Sequence, residues 1–215
     1  MALPGFNAII DLNHNDAVTS WDMVHQNGVH AVIHKATEGT GFQDPAYHGR
    51  RLAAKKAGLL FGSYHFTSGG DVQKQLQNYL SWAQPAHDEL IAIDCEKSSG
   101  GPPDMTLKQL LEFVDGIEKA LGRKPVIYGG GDLLKPITNG VKNSPLSDCP
   151  LWIASFPKTG DKPPASLPDP WKVWTIWQYT DGKVGPQPRT VPGAACDRDT
   201  FNGTGPELHQ KWPLT

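Results

Sequence analysis

The sequence predicts an α/β fold in a single domain, on three observations. Short apolar runs bounded by turn residues recur along the chain, segments of helical period lie between several of them, and the helical signal stops after Val141. Strands that alternate with helices are joined by crossovers and pair in parallel. A chain of 215 residues falls in the range that β/α barrels occupy as one domain. One domain spanning residues 1–215 is therefore expected, starting as β/α and finishing as mostly β.

The strands are read from Ala8-Ile9-Ile10, Ala31-Val32-Ile33, Leu59-Leu60-Phe61, Leu90-Ile91-Ala92-Ile93, Val126-Ile127-Tyr128, Leu151-Trp152-Ile153 and Val173-Trp174-Thr175-Ile176-Trp177. Each is short enough for a buried strand. A first helix starts at Asp44-Pro45 and ends near Gly58, since proline suits an opening turn. A second spans Asp71 to Ala83, capped by Asp71 and stopped by Pro85, with Val72, Leu76, Tyr79, Leu80 and Ala83 inward. The best-marked runs from Thr106 to Leu121. Leu107, Leu110, Leu111, Val114, Ile117 and Leu121 form its stripe, Thr106 and Gln109 make a capping box, and Gly122 suits the left-handed residue beyond the end. The Pro/Gly/Lys-rich stretch from Pro157 to Pro170 reads as a long surface loop between two aromatic strands. No internal repeat or second domain is visible.

Composition narrows the function. A formal net charge of −2 offers no basic footprint for nucleic acid. No apolar run approaches the roughly 18 to 20 residues of a membrane span, and the opening Met1-Ala2-Leu3-Pro4-Gly5-Phe6-Asn7 lacks the regions of a secretory signal. No nucleic-acid or membrane partner is expected, and a monomer is. Cys95, Cys149 and Cys196 are an odd set without metal-ligand spacing; they read as reduced or structural, with one disulfide plus a free thiol as the alternative.

The most informative stretch is Leu90-Ile91-Ala92-Ile93-Asp94-Cys95-Glu96, an apolar strand ending in two acids one residue apart. Side chains at i and i+2 share a face of a strand, so Asp94 and Glu96 are expected to point into the barrel mouth with Cys95 turned away. Catalytic residues of β/α barrels collect at these strand ends. Ile9-Ile10-Asp11 closes the first strand in the same way, and Asp197 follows the last apolar segment, so four acids converge. Paired carboxylates are the equipment of glycosidases, one protonated toward the leaving oxygen and one ionised toward the anomeric carbon. Crowded like charges raise the pKa of at least one member.

Tyr64, Tyr128, Trp152, Trp177 and Tyr179 stand at or near strand ends, where aromatic rings stack on sugar faces as readily as they fill a core. Two readings compete. A metal-dependent phosphodiesterase on a similar barrel would use the acids with ligands such as His14, His34 or His65. A non-catalytic glycan-binding module is the other, and it has no need of a buried, mutually repelling acid pair. Gly129-Gly130-Gly131 lacks phosphate-loop spacing and reads as a β/α turn.

Taken in order, Ile10-Asp11-Leu12, Lys35-Ala36-Thr37-Glu38-Gly39, Asp44-Pro45, Ala57-Gly58, Gly62-Ser63-Tyr64-His65-Phe66, Ile93-Asp94-Cys95-Glu96, Pro125-Val126-Ile127-Tyr128, Leu151-Trp152-Ile153-Ala154, Trp177-Gln178-Tyr179 and Asp197 with Phe201-Asn202-Gly203 make the chain resemble the family 25 glycoside hydrolases. These are muramidases that include many lysozymes. The resemblance covers nearly the whole chain. It implies an irregular, TIM-like β/α barrel of about five β/α units followed by antiparallel strands. It also implies cleavage of the β-1,4 bond between N-acetylmuramic acid and N-acetylglucosamine in bacterial peptidoglycan, without a metal or other cofactor and with net retention. By position Glu96 matches the proton donor, Asp94 its partner, and Asp11 and Asp197 the other two acids of the cleft. Lys35, Glu38, Tyr64, Tyr128 and Trp177 match positions lining the groove. Attack by a carboxylate and attack by the sugar's own acetamide, oriented by Asp94, both stay open, the second being favoured. Such an enzyme acts on the wall, outside the producing cytoplasm. The run Leu12-Asn13-His14-Asn15-Asp16 departs from the Ser and aromatic-Gln-Gly turn of many members, so that edge of the cleft is expected to bind differently.

Overall fold

A computed structural model describes residues 3–97 and 105–214. Its strands are β1 (Phe6–Leu12), β2 (Ala31–Glu38), β3 (Phe42–Gln43), β4 (Leu60–Phe66), β5 (Leu90–Asp94), β6 (Val126–Gly130), β7 (Leu151–Ala154), β8 (Ile176–Thr180) and β9 (Asp197–Phe201). The helices are α1 (Trp21–Gln26), α2 (Tyr47–Lys56), α3 (Val72–Ala83), α4 (Leu107–Leu121), α5 (Gly131–Thr138) and α6 (Gly205–Lys211). Hydrogen bonding runs β1-β9-β8-β7-β6-β5-β4-β2, and the β1–β2 pairing closes the barrel, with the two-residue β3 attached outside β2.

Five β/α units carry the chain from β1 to β7. Every neighbouring pair in the barrel is parallel except those of β9, which runs antiparallel to both β8 and β1. The antiparallel ending within the barrel is thus β9 alone. A parallel crossover needs a dozen or more residues, and residues 155–175 supply it between β7 and β8 largely as loop.

Because helices cover the outside while side chains fill the inside, the strands are buried on both faces, which explains their continuous apolar runs. Ile33, Leu90, Ala92, Val126, Trp152, Ile176 and Phe201 pack within the barrel. Their alternates Val32, Phe61, Ile91, Ile93, Ile127 and Ile153 meet Leu76 and Tyr79 of α3 and Phe113, Val114 and Ile117 of α4. These helices touch closely at Gly116, where an added Cβ would lie 2.3 Å from Leu76 Cδ1.

Helix signals read from the chain locate α2, α3 and α4. Asp71 caps α3 by accepting from the Lys74 amide at 3.1 Å. The Thr106–Gln109 capping box opens α4, and Gly122 closes it at φ 71°. Three short helices escape the periodic reading; one is α5, 8 residues long, where the glycines before it read only as a turn. α1 is capped by Ser20, and α6 is opened by a Thr204–Glu207 capping box with Pro206 in its first turn; at 6 and 7 residues they are too short to show a stripe. β8 starts three residues later than the apolar run suggests, because Val173 is solvent-exposed and Thr175 is spent on a loop hydrogen bond to Leu151.

Among the described residues no helix is long and apolar enough to cross a membrane. All three cysteines are free and buried. Of the opening heptapeptide, Met1 and Ala2 lie outside the described residues.

Candidate active site

Strand alternation brings the acids together at one rim. On β5 the even-numbered Leu90, Ala92 and Asp94 face inward, while Ile91, Ile93 and Cys95 face the helices. Asp94 ends the strand and Glu96 lies two residues on, in the same cavity. Asp11 reaches it from the C-terminal end of β1. Asp197 does so from the N-terminal end of β9, since an antiparallel strand presents its start where its neighbours end. The cavity, about 180 Å³, is lined by these four acids with Asn13, Asp16, Lys35, Tyr64, Phe66, Tyr128, Trp152 and Gln178.

The hydrogen bonds are directional. Gln178 Nε2 donates to Asp11 Oδ2 at 2.8 Å and to Asp197 Oδ2 at 3.2 Å. The Tyr128 hydroxyl lies 2.7 Å from Gln178 Oε1 and 3.2 Å from Glu96 Oε1. Asp94 Oδ1 is buried without a hydrogen-bond partner. Below the cavity, Asp199 is fully buried on β9, accepting from the Trp152 indole N–H at 2.7 Å.

Burial dominates the electrostatics, ahead of crowding. Loss of water raises the Asp94 carboxyl well above its ordinary value, with Glu96 adding repulsion and the Lys35 ammonium opposing it. Burial also raises Glu96, against the Tyr128 hydroxyl and Lys35, which stabilise its anion. Asp11 is raised well above its usual range by burial and then by Asp199. Asp197 is pushed up to about 9, by burial first and Asp11 second. Asp199 rises to about 8 through burial, although the Trp152 N–H favours its anion. The cavity therefore holds protons at neutral pH, the condition for donating one to a leaving oxygen.

Of the residues expected to line a groove, Lys35, Tyr64, Tyr128 and Trp152 do so. Glu38 lies outside the lining, its Oε2 2.5 Å from Lys35 Nζ, and so fixes the ammonium from behind. Trp177 and Tyr179 stand on the opposite face of β8. Both are fully buried against the helix-side core, with the Trp177 indole donating to Ser155 O at 2.8 Å and the Tyr179 hydroxyl to Pro188 O at 2.7 Å. The correction follows from period two. With Ile176 inside the barrel, the next inward residue is Gln178, and the aromatic residues flanking it must point out.

Sequence reasoning thus missed Gln178 and Phe66 in the lining and Asp199 beneath it. Asp199 was visible as the i+2 neighbour of Asp197, the same spacing used for Asp94 and Glu96. Asn13 and Asp16, from the departing loop, form one edge, and Arg50 holds that loop by donating to Asn13 O at 2.7 Å and Asp16 O at 2.5 Å. Of the histidines weighed as metal ligands, His14 bonds Asp44 Oδ2 at 3.1 Å, His34 approaches Arg50, and His65 approaches Thr37 and Gln75. None lines the cavity.

Comparison with known proteins places this geometry. The chain matches the family described as Glycosyl hydrolases family 25 over residues 10–187. It is 27% identical over 212 residues to a lysozyme of Streptomyces globisporus, covering 93% of this chain and 69% of that protein. It is 30% identical over 152 residues to the autolytic lysozyme of Clostridium acetobutylicum, covering 68% of this chain and 44% of that one. The chain thus spans less than half the length of the clostridial relative. Among solved structures, a family GH25 lysozyme from Aspergillus fumigatus superposes with a TM-score of 0.77 at 29% identity, over 94% of this chain and 96% of that one.

Proposed function

The chain belongs to the family 25 glycosyl hydrolases, and on that premise we propose that it is a muramidase cutting the β-1,4 bond between N-acetylmuramic acid and N-acetylglucosamine in bacterial peptidoglycan. The observation that carries this reading is the set of buried Asp11 and Asp94 with half-buried Glu96 and Asp197, all opening into one cavity, together with lysozyme relatives.

Glu96 is the general acid. It is less deeply buried than Asp94 and stands where a bridging oxygen can reach it. Burial favours its protonated form, and transfer of that proton to the glycosidic oxygen lets the C1–O bond break. Asp94 lines the same cavity, where its carboxyl accepts the acetamide N–H. The acetamide oxygen then bonds to C1 from the face opposite the leaving group. Water opens this intermediate as Glu96 takes up a proton from it, giving net retention. Asp11, Asp197 and Gln178 form the floor that orients the sugar. Such a reaction occurs at the wall, outside the producing cytoplasm, and needs one copy of the chain and no metal.

The test is release of reducing ends from purified peptidoglycan in chelator. Wild type is active, and Glu96→Gln loses on the order of a hundredfold or more, as removal of a general acid requires. An inactive wild type, or an unaffected Glu96→Gln, refutes the assignment. Proton NMR of the first product formed distinguishes retention from inversion.

A further inference from the structure

Asp199 is the buried acid that the reaction scheme leaves without a role. It does not line the catalytic cavity and lies one inward position below Asp197 on β9, fully buried. The Trp152 indole N–H donates to its Oδ1 at 2.7 Å. Among the described residues no N–H or hydroxyl reaches its buried Oδ2, and its carboxyl hydrogen-bonds with that of Asp11 on β1. Around the pair, Asp16 and Asp197 add negative charge and Arg198 adds positive charge. Arg198 alternates with Asp197 and Asp199 and so faces the other way; its guanidinium donates to Thr190 O at 2.8 Å and to Asn7 Oδ1 at 3.3 Å.

We propose that Asp199 is a positioning residue for the reaction: its carboxyl and that of Asp11 share a proton, and this bond holds Asp11 against the sugar in the orientation that Gln178 fixes from its other side. The inference rests on the muramidase reading and adds a residue that touches no substrate. Two carboxyls hydrogen-bond only if at least one keeps its proton, and two facing anions in a dry interior would repel instead. The contact itself therefore requires the proton. Gln178 Nε2 meets Asp11 Oδ2 at 2.8 Å, so Asp11 is gripped by two neighbours and turns only by breaking a bond to one of them. As positive charge grows on the sugar ring, the shared proton moves wholly onto Asp199 and leaves the negative charge on Asp11, the member nearer the sugar. No water has to reorganise for this to happen, which is the advantage of a preorganised site.

The experiment combines kinetics on peptidoglycan with infrared spectroscopy of the whole chain. Asp199→Asn keeps an acceptor for Trp152 and supplies an N–H to Asp11, so its kcat is expected to stay within about threefold of wild type. Asp199→Leu keeps the bulk and loses both bonds. Its kcat per folded molecule is expected to fall at least about tenfold, as loss of a hydrogen bond to a charged group implies, with KM unchanged. The infrared difference between wild type and Asp199→Asn at about pH 6 is expected to show the loss of a carboxylic-acid C=O band, which an ionised Asp199 would not give. The proposal is overturned if Asp199→Leu keeps its kcat, if kcat falls more than about tenfold in Asp199→Asn, or if no acid band is lost. Should Asp199→Leu fail to fold, the kinetics and the infrared band of Asp199→Asn decide. A wild type that releases no reducing ends loses the muramidase reading instead, while the acid band still reports on the shared proton.

Discussion

Replacing Asp199 by Asn makes stability less dependent on pH. Asp199 is fully buried and holds its proton up to about pH 8, whereas in an unfolded chain it ionises near the ordinary value of about 3.9. Between those values the native state carries a proton that the unfolded state has released. Stability is therefore fully present below about pH 4 and falls as pH rises toward 8, at up to about 1.4 kcal/mol per pH unit for one proton. Asn cannot titrate, but its side-chain oxygen still accepts the Trp152 indole N–H, which Asp199 holds at 2.7 Å. With Asp199 protonated that bond is already a neutral one, so the exchange costs little at low pH. The variant also relieves Asp11, whose carboxyl Asp199 helps to raise. Urea unfolding at pH 4.5, 6.0 and 7.5 tests this. The two proteins are about equally stable at the lowest pH, the variant's decline is shallower, and it is the more stable as pH rises. Parallel stability curves for the two proteins would refute the buried-proton account of Asp199.

Three further outcomes follow from the geometry. In Tyr128→Phe, Glu96 loses the hydroxyl that stabilises its anion, so its pKa rises. The alkaline limb of kcat/KM, where the general acid ionises, then moves up by at most about one pH unit; a limb that stays put or moves down excludes the contact. Gly62→Ala loses about 1–3 kcal/mol, because the new Cβ would meet Leu90 Cβ at 2.8 Å inside the barrel, and a chemical melt within a few tenths of wild type would show that the strands can part. In the native protein Ellman's reagent finds little reactive thiol, since Cys95, Cys149 and Cys196 are all buried and burial raises each thiol's pKa. Denaturant releases three, and fewer than three would reveal a disulfide.

Local chemistry alone determined much of this protein. The capping box at Thr106 and Gln109, Asp71 before its helix and Gly122 after one act through neighbours three or four residues away, so they can be read without a fold. The pairing of Asp94 with Glu96 is equally local, because alternation along a strand depends only on backbone geometry. Tertiary structure decided which phase each strand took. In Ile176-Trp177-Gln178-Tyr179 both faces are buried, so hydrophobicity cannot say which residues enter the barrel, and only the pairing of β8 with β7 and β9 turns Gln178 inward. The antiparallel entry of β9 set Asp197 and Asp199 beside Asp11, a contact across nearly the whole chain. The raised carboxyls have the same origin, since it is the closed barrel that excludes water and keeps protons on acids that the unfolded chain would ionise.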